Sequence, residues 1–279
     1  MSLFIASLNS GSNGNCYYVG NSKEAVLIDA GISCREVEKR MLRLGLSMHR
    51  VKAIFVSHEH SDHIRGLPVL AKKYQLPVYI TPRTCHFGRL DLSFTSTHAF
   101  LVNEPVCIGE LSITPFLKHH DAADPHSFTV ACNGVTVGVF TDIGVPCTNL
   151  VQHFSQCHAA FLEANYDEQM LHGGHYPYHL KKRISGGKGH LSNRQALEVF
   201  NTYRAPFMTH LLLAHLSKEN NSPALVQQLF DAHAGNTRVV VASRHQESEV
   251  YHIQRTGYHH ITVTAPPADL QPAQYSLFN

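Results

Sequence analysis

The sequence predicts an α/β (α+β) fold in which helices pack on β-sheets. Three observations predict it. Short apolar runs alternate with amphipathic segments over the first 80 residues, residues 92–140 are rich in β-forming runs, and the alternation returns from residue 159. With 279 residues, 43% of them hydrophobic, the chain is long enough to bury a sizeable core.

The elements follow in order. LFIASL (3–8) and CYYVG (16–20) read as strands around a Ser/Asn/Gly loop, and AVLIDAG (25–31) reads as a buried strand ending in a turn. Residues 33–44 place Val37, Met41 and Leu44 at helical spacing, with Ser33 as N-cap and Gly45 as the stop. AIFVS (53–57) and PVYIT (77–81) are strands flanking a helix over 66–74. FTSTHAFLV, VCIGELSITPFLK, SFTVACNG and VTVGVFTD are strand-like, and Asn133-Gly134 between two such runs signals a hairpin. Residues 159–165, 207–217, 238–243 and 249–253 are further strands, and 193–203 and 223–234 are helices.

Composition narrows the function classes. Twenty-three Lys and Arg against 21 Asp and Glu leave a charge of +2, and charged residues are only 16%, which excludes a strongly basic nucleic-acid coat and an acidic disordered chain. No run approaches the roughly 20 apolar residues of a membrane span, and the N-terminus lacks a basic segment followed by a long apolar run, so neither a membrane location nor a secretory leader is expected. Seven cysteines without a CxxC pair point to free thiols and a cytoplasmic setting. Twenty-two histidines stand out, because histidine carries protons near neutrality and is the commonest metal ligand.

The histidines become specific at IFVSHEHSDHI, where a buried strand runs into His58, His60, Asp62 and His63. Residues two apart in extended chain project to one side, so His58 and His60 can grip one ion, and after a turn Asp62 and His63 can face another. Placing these groups at a strand end is costly without a ligand, since each needs a hydrogen-bond partner or a proton. The alternative is an exposed His-rich loop, which the apolar run feeding it opposes.

This segment resembles the HxHxDH signature of the metallo-β-lactamase superfamily, and the resemblance extends over nearly the whole chain. It implies a four-layer αβ/βα sandwich with the site at one edge. LIDAG (27–31) is similar to the first motif of the family, where Asp29 would brace the metal loop without being a ligand. The resemblance implies two divalent ions, Zn²⁺ or Mn²⁺, one on His58, His60 and His120, the other on Asp62, His63 and His215, with Asp142 bridging. His119 competes with His120; the choice of His120 rests on its place before Asp121.

Within the superfamily the chain resembles the YycJ/WalJ-like proteins, through SLNSGSNGNCYYV, HHDAADP, FLEANYDEQML, YPYHLKKRISGGKGHLSN and HLSKENN. His63 after Asp62 favours the di-metal hydrolase and nuclease branches, and the segment between Asp142 and His215 is too short for a large inserted nuclease cap domain. The resemblance implies a 5′→3′ DNA exonuclease acting in DNA repair, that is, a phosphodiester hydrolase. A phosphodiesterase on small cyclic or nucleotide-like esters is the alternative, and a non-catalytic metal-binding or redox protein a more distant one. GHLSNRQAL is similar to a segment of related phosphodiesterases whose His protonates the leaving oxygen, so His190 is the general-acid candidate, oriented by Glu163, with Asp62 steering the proton of the attacking water. His190 could instead cap the following helix, a task Ser192 serves equally well.

Ser12 and Asn13 in the loop SGSNG, together with Lys188, are candidate phosphate contacts, although such a loop is equally an ordinary turn. Lys181, Lys182, Arg183, Lys188 and Arg194 cluster around His190 as a basic rim for DNA, or as a plain solvated surface; Tyr176 and Tyr178 beside them could stack bases or pack under the loop. The expected organisation is one domain over 1–265 and a Pro-rich tail over 266–279. That tail carries Gln274-Tyr-Ser-Leu277-Phe278 one residue from its end, which resembles peptides that dock on the DNA sliding clamp, unless Leu277 and Phe278 pack back on the body.

Overall fold

The computed structural model describes residues 2–255. Gln274, Leu277, Phe278 and the expected domain boundary at 265 therefore lie outside the described residues. The first sheet takes β1 (Ser2–Asn9), β2 (Cys16–Gly20), β3 (Ala25–Ile28), β4 (Val51–Phe55), β5 (Val78–Tyr79) and β6 (Thr97–His98). The second takes β7 (Val106–Ile108), β8 (Leu111–Leu117), β9 (His126–Cys132), β10 (Val135–Phe140), β11 (Ala159–Glu163), β12 (His210–Ala214) and β13 (Arg238–Val241). The last described strand, β14 (Tyr251–Gln254), returns to the first sheet and pairs antiparallel with β1.

Each sheet begins antiparallel and turns parallel: β3, β4, β5 and β6 run parallel in one, and β10, β11, β12 and β13 in the other. Parallel pairing requires crossovers, and helices supply most of them. They are α1 (Cys34–Arg43), α2 (Ser61–Ile64), α3 (Leu67–Tyr74), α4 (Pro82–Phe87), α5 (Thr148–Phe154), α6 (Glu168–Gly173), α7 (Tyr178–Ser185), α8 (Asn193–Tyr203) and α9 (Pro223–Asp231). The Ser33 hydroxyl accepts from the Glu36 amide at the start of α1, and Gly45, at φ +67°, stops it.

Three apolar layers separate four layers of structure. Leu3, Val19, Phe55, Phe128, Val137 and Phe161 meet between the two sheets. Val37, Met41, Leu67 and Leu70 of α1 and α3 cover the outer face of the first sheet, and Leu150, Val199, Phe200 and Phe230 of α5, α8 and α9 cover that of the second. Strands such as β2, β3 and β11 are buried along their whole length for this reason, and read as continuous apolar runs. The hairpin at Asn133-Gly134 forms with both residues at positive φ. FTSTHAFLV contributes only Thr97–His98 as strand, because its sole neighbour β5 offers just Val78 and Tyr79 for pairing. Among the described residues no helix is long and apolar enough to cross a membrane.

Candidate metal centre

The site forms where parallel strands of both sheets end, the position at which α/β sheets commonly bind ligands. Asp29 follows β3, His58 and His60 follow β4, Asp142 follows β10, Glu163 closes β11 and His215 follows β12. Asp29, Asp142 and His215 all sit at positive φ (63°, 57° and 56°), a costly region for non-glycine residues that turns each side chain off its strand and into the cleft. After β4 the chain stays extended to His60, which precedes the short α2; Asp62 and His63 thus leave in a different direction from His58 and His60. Gly31 makes this packing possible, since a Cβ there would lie 1.7 Å from the Asp62 carbonyl oxygen.

Two donor groups result. Nε2 of His58 lies 3.1 Å, and Nε2 of His120 3.3 Å, from Nδ1 of His60. Nε2 of His215 lies 3.3 Å, and Nε2 of His63 3.6 Å, from Oδ2 of Asp62. Asp142 stands between the groups: Oδ2 is 3.1 Å from His63 Nε2, and Oδ1 is 3.8 Å from His120 Nε2 and 3.5 Å from His215 Nδ1. The seven sequence candidates His58, His60, Asp62, His63, His120, Asp142 and His215 are therefore brought together, with ligand atoms close enough to share cations. His119 is exposed, and its carbonyl instead accepts from the Gly144 amide.

The donor set can be tested for its fit to cations. His120 Nδ1 donates to the Gly189 carbonyl (3.0 Å), and His63 Nδ1 to Asp29 Oδ2 (2.7 Å). Ser57 donates its hydroxyl hydrogen to Asp29 (2.8 Å), so its oxygen accepts from His58 Nδ1 (2.9 Å). In His58 and His120 the Nε2 lone pair then faces the cleft, and in His63 it does so once the ring has lost its proton. Lone pairs of His58, His60 and His120 converge within 3.3 Å, where they repel unless a cation or proton lies between them. Asp142 Oδ2 is buried and, despite its 3.1 Å approach to His63, makes no hydrogen bond of acceptable geometry. Imidazole nitrogens and carboxylate oxygens so arranged suit divalent cations.

The electrostatics agree. Burial, reinforced by His63 and Lys118, holds His58 well below the usual imidazole range, and burial brings His120 down to about 3. These two rings are neutral donors at neutral pH. Burial disfavours charge on His63 as well, but Asp142, Asp29 and Asp62 overcome it and raise the group to about 10. His215 is likewise raised against its burial by Asp142, Asp62 and Glu163. Burial opposes ionisation of Asp62 and Glu163, yet neighbouring imidazoles hold both at about 2.

Glu163 is wholly buried, and one of its oxygens serves two rings: Oε1 accepts from His190 Nδ1 (2.7 Å) and from His215 Nδ1 (3.0 Å). Its Oε2 accepts from the Ile143 amide (2.6 Å) and the Leu191 amide (3.2 Å). Its oxygens are thus committed to hydrogen bonds, and it orients rings rather than offering a cation a ligand. His190 keeps 19% side-chain exposure, and its Nε2 has no partner among the described residues. Its ring lies 5.3 Å, centre to centre, from those of both His120 and His215.

Several supporting residues carry no sequence signal. Asn15 donates to Asp62 Oδ2 (3.2 Å) and contacts His63 Nε2 (3.1 Å), Ser10 accepts from the His215 amide (2.7 Å), and buried Lys118 donates to the Thr141 carbonyl (2.7 Å). Ser12 and Asn13 are exposed at the tip of their loop, which contains a turn closed by the Gly14 amide on the Gly11 carbonyl. Lys188 is exposed and lines a cavity of about 460 Å³ beside His120. In the basic rim Arg183 pairs with Asp121 and Arg194 with Glu168, whereas Lys182 and Lys188 have no acidic partner among the described residues. Tyr178 is exposed and Tyr176 half-buried.

A family model described as the beta-lactamase superfamily domain matches residues 24–215. The chain belongs to this superfamily. Exodeoxyribonuclease YycJ of Bacillus anthracis is 34% identical over 230 residues, covering 81% of this chain and 87% of that one. Exodeoxyribonuclease WalJ of Streptococcus pneumoniae is 32% identical over 240 residues, covering 82% and 88%. The metallo-beta-lactamase fold protein YhfI of Bacillus subtilis aligns over 90% of this chain and all of its own, with a TM-score of 0.70 at 17% identity, which speaks to the fold alone. The superfamily fold therefore stands here with a His/Asp cluster suited to divalent metal.

Proposed function

We propose that the chain is a metal-dependent exodeoxyribonuclease that shortens DNA from the 5′ end, with a place in DNA repair. The carrying observation is the pairing of two cation-binding groups with a partly exposed imidazole, His190, held by a buried carboxylate. Two relatives named exodeoxyribonucleases, each more than 30% identical over four-fifths of the chain, support DNA as the substrate. Lys182 and Lys188, without an acidic partner among the described residues, favour a polyanion over a small ester.

His58, His60 and His120, Asp62, His63 and His215, and Asp142 would hold two divalent ions, Zn²⁺ or Mn²⁺, which would supply Lewis-acid polarisation of the phosphoryl group and acidify the attacking water. Asn15 donates to Asp62 Oδ2 (3.2 Å) and so orients the carboxylate, which would steer the proton of the attacking water. His190 in its imidazolium form donates from Nε2 to the departing sugar oxygen, and Glu163 stabilises the cation through Nδ1. After transfer the ring is left as the Nδ1–H tautomer that Glu163 favours. The seven free cysteines fit a cytoplasmic setting, and clamp docking through Gln274, Leu277 and Phe278 remains part of the proposal on the sequence of the tail.

The test uses Mn²⁺- and Zn²⁺-loaded protein on end-labelled double-stranded DNA, with bis(p-nitrophenyl) phosphate as the small ester. Shortening from the 5′ end that is lost in His190→Ala is expected. Cleavage of the small ester with intact DNA would move the assignment to a small-molecule phosphodiesterase.

A further inference from the structure

Arg244 carries a half-buried guanidinium against the Ser10–Asn15 loop. Its Nη2 donates only to neutral oxygens, the Ser12 hydroxyl (3.2 Å) and the Leu216 carbonyl (3.1 Å). No carboxylate pairs with it among the described residues. Burial lowers its affinity for a proton, with Glu219 acting only at a distance. A cation in this position bears a desolvation cost that no partner offsets, and its remaining donors keep the fork geometry suited to a phosphate.

The surroundings are built for an anion. Two cavities, of about 400 and 570 Å³, meet at Arg244. Arg65 reaches the second and donates to the Asn13 carbonyl (2.5 Å), with no acidic partner among the described residues. Glu36, the acid on that wall, is taken up by Arg40 (3.3 Å). The Ser12 and Asn13 amides make no hydrogen bond among the described residues, and Gly11, at φ +140°, lets the loop pass where a Cβ would lie 2.8 Å from the Arg244 guanidinium. The first cavity adjoins the site through its lining: Ser10 lines it and also holds the His215 amide, and Leu216, in the same lining, follows His215 directly.

We propose that Arg244, Arg65 and the Ser12–Asn13 amides form a second phosphate subsite, which grips a DNA backbone or 5′-terminal phosphate away from the scissile bond. The proposal rests on the nuclease reading and specifies how that substrate is held. It adds Arg244 and Arg65 to the binding surface.

The experiment measures binding of 3′-fluorescent, phosphorothioate-protected oligonucleotides to metal-loaded protein by anisotropy across a salt series. It compares 5′-phosphorylated with 5′-hydroxyl ends and runs cleavage of unprotected DNA in parallel. Arg244→Ala is expected to weaken binding about tenfold or more, and to reduce the slope of log affinity on log salt by about one. Arg244→Lys is expected to restore the slope but only part of the affinity. A loss confined to 5′-phosphorylated ends identifies a terminal phosphate, and an equal loss on both ends an internal one. Unchanged affinity and slope overturn the subsite, even where the wild type cleaves DNA. Weaker binding at an unchanged slope also overturns it, because Arg244 would then only brace the loop. If the wild type binds with the expected slope change but cuts no DNA, the subsite stands and the nuclease reading fails.

Discussion

Glu163→Gln is the most informative single substitution, because it keeps the shape of one buried side chain while replacing a charged acceptor by a neutral amide with one donor group. The carboxylate takes four donors: the Ile143 and Leu191 amides on one oxygen, the His190 and His215 Nδ1 atoms on the other. A glutamine keeps one accepting oxygen. Turning its NH₂ toward the amides leaves two buried N–H groups unpaired, at about 1–3 kcal/mol each, or about 2–6 kcal/mol against a total stability of about 5–15 kcal/mol. Turning its NH₂ toward the rings costs less, since histidines can change tautomer, but moves the proton of His215 onto Nε2, the atom that faces Asp62. Metal affinity is then expected to fall about 10–100-fold, and loss of an oriented general acid at His190 to lower turnover by about 10²–10⁴. Metal content, a chelator-competition titration and DNA hydrolysis at saturating metal separate the two effects. His190→Ala is expected to reduce turnover to a similar degree with metal affinity intact. A Glu163→Gln protein with wild-type metal affinity and wild-type turnover would falsify the shared-orienter role.

Three further outcomes follow from the same geometry. In the metal-free protein His63 is raised to about 10 and His215 well above its usual range, so both are protonated at pH 7 and must lose those protons to become ligands. Metal binding at pH 7 should release about two protons, and affinity should rise with pH until His63 titrates near 10; calorimetry in buffers of different ionisation enthalpy measures the release, and none would contradict the assignment. Gly31→Ala sets a Cβ 1.7 Å from the Asp62 carbonyl, so a loss of about 3 kcal/mol or more and a displaced Asp62 are expected in a denaturant melt. Asp142→Asn keeps the shape but removes the charge between the two groups; metal stoichiometry by elemental analysis should drop, and an unchanged count would remove Asp142 from the ligand set.

The core of the site was legible because it is local. HEHSDH sets four side chains at one strand end, and the chain order of strand then helix separates them into two directions. Asp142 and His215 were legible only through the resemblance of VFTDIG and LLLAHLS to motifs of the superfamily. Glu163 was readable only as a partner of His190; its second duty on His215 joins residues 52 positions apart and has no local signature. Asn15 and Lys118 act through contacts of the same kind. Neighbouring residues in extended chain face opposite ways, and what puts His120 rather than His119 in the site is long-range: His120 Nδ1 meets the Gly189 carbonyl, 69 positions away. At fold level α1, α3, α8, α9 and the buried strands were readable, whereas α5 and α6 have too few turns for an apolar stripe to show and α7 buries no residue that would mark one.

The most direct test of the central claim is the fate of 5′-labelled duplex DNA with protein reconstituted with Mn²⁺ or Zn²⁺ after chelation, beside His60→Ala and His190→Ala. Progressive loss of nucleotides from the 5′ end that requires metal and is abolished in both variants is the expected result. Metal-independent cleavage, or cleavage that persists without His60 and His190, would contradict it.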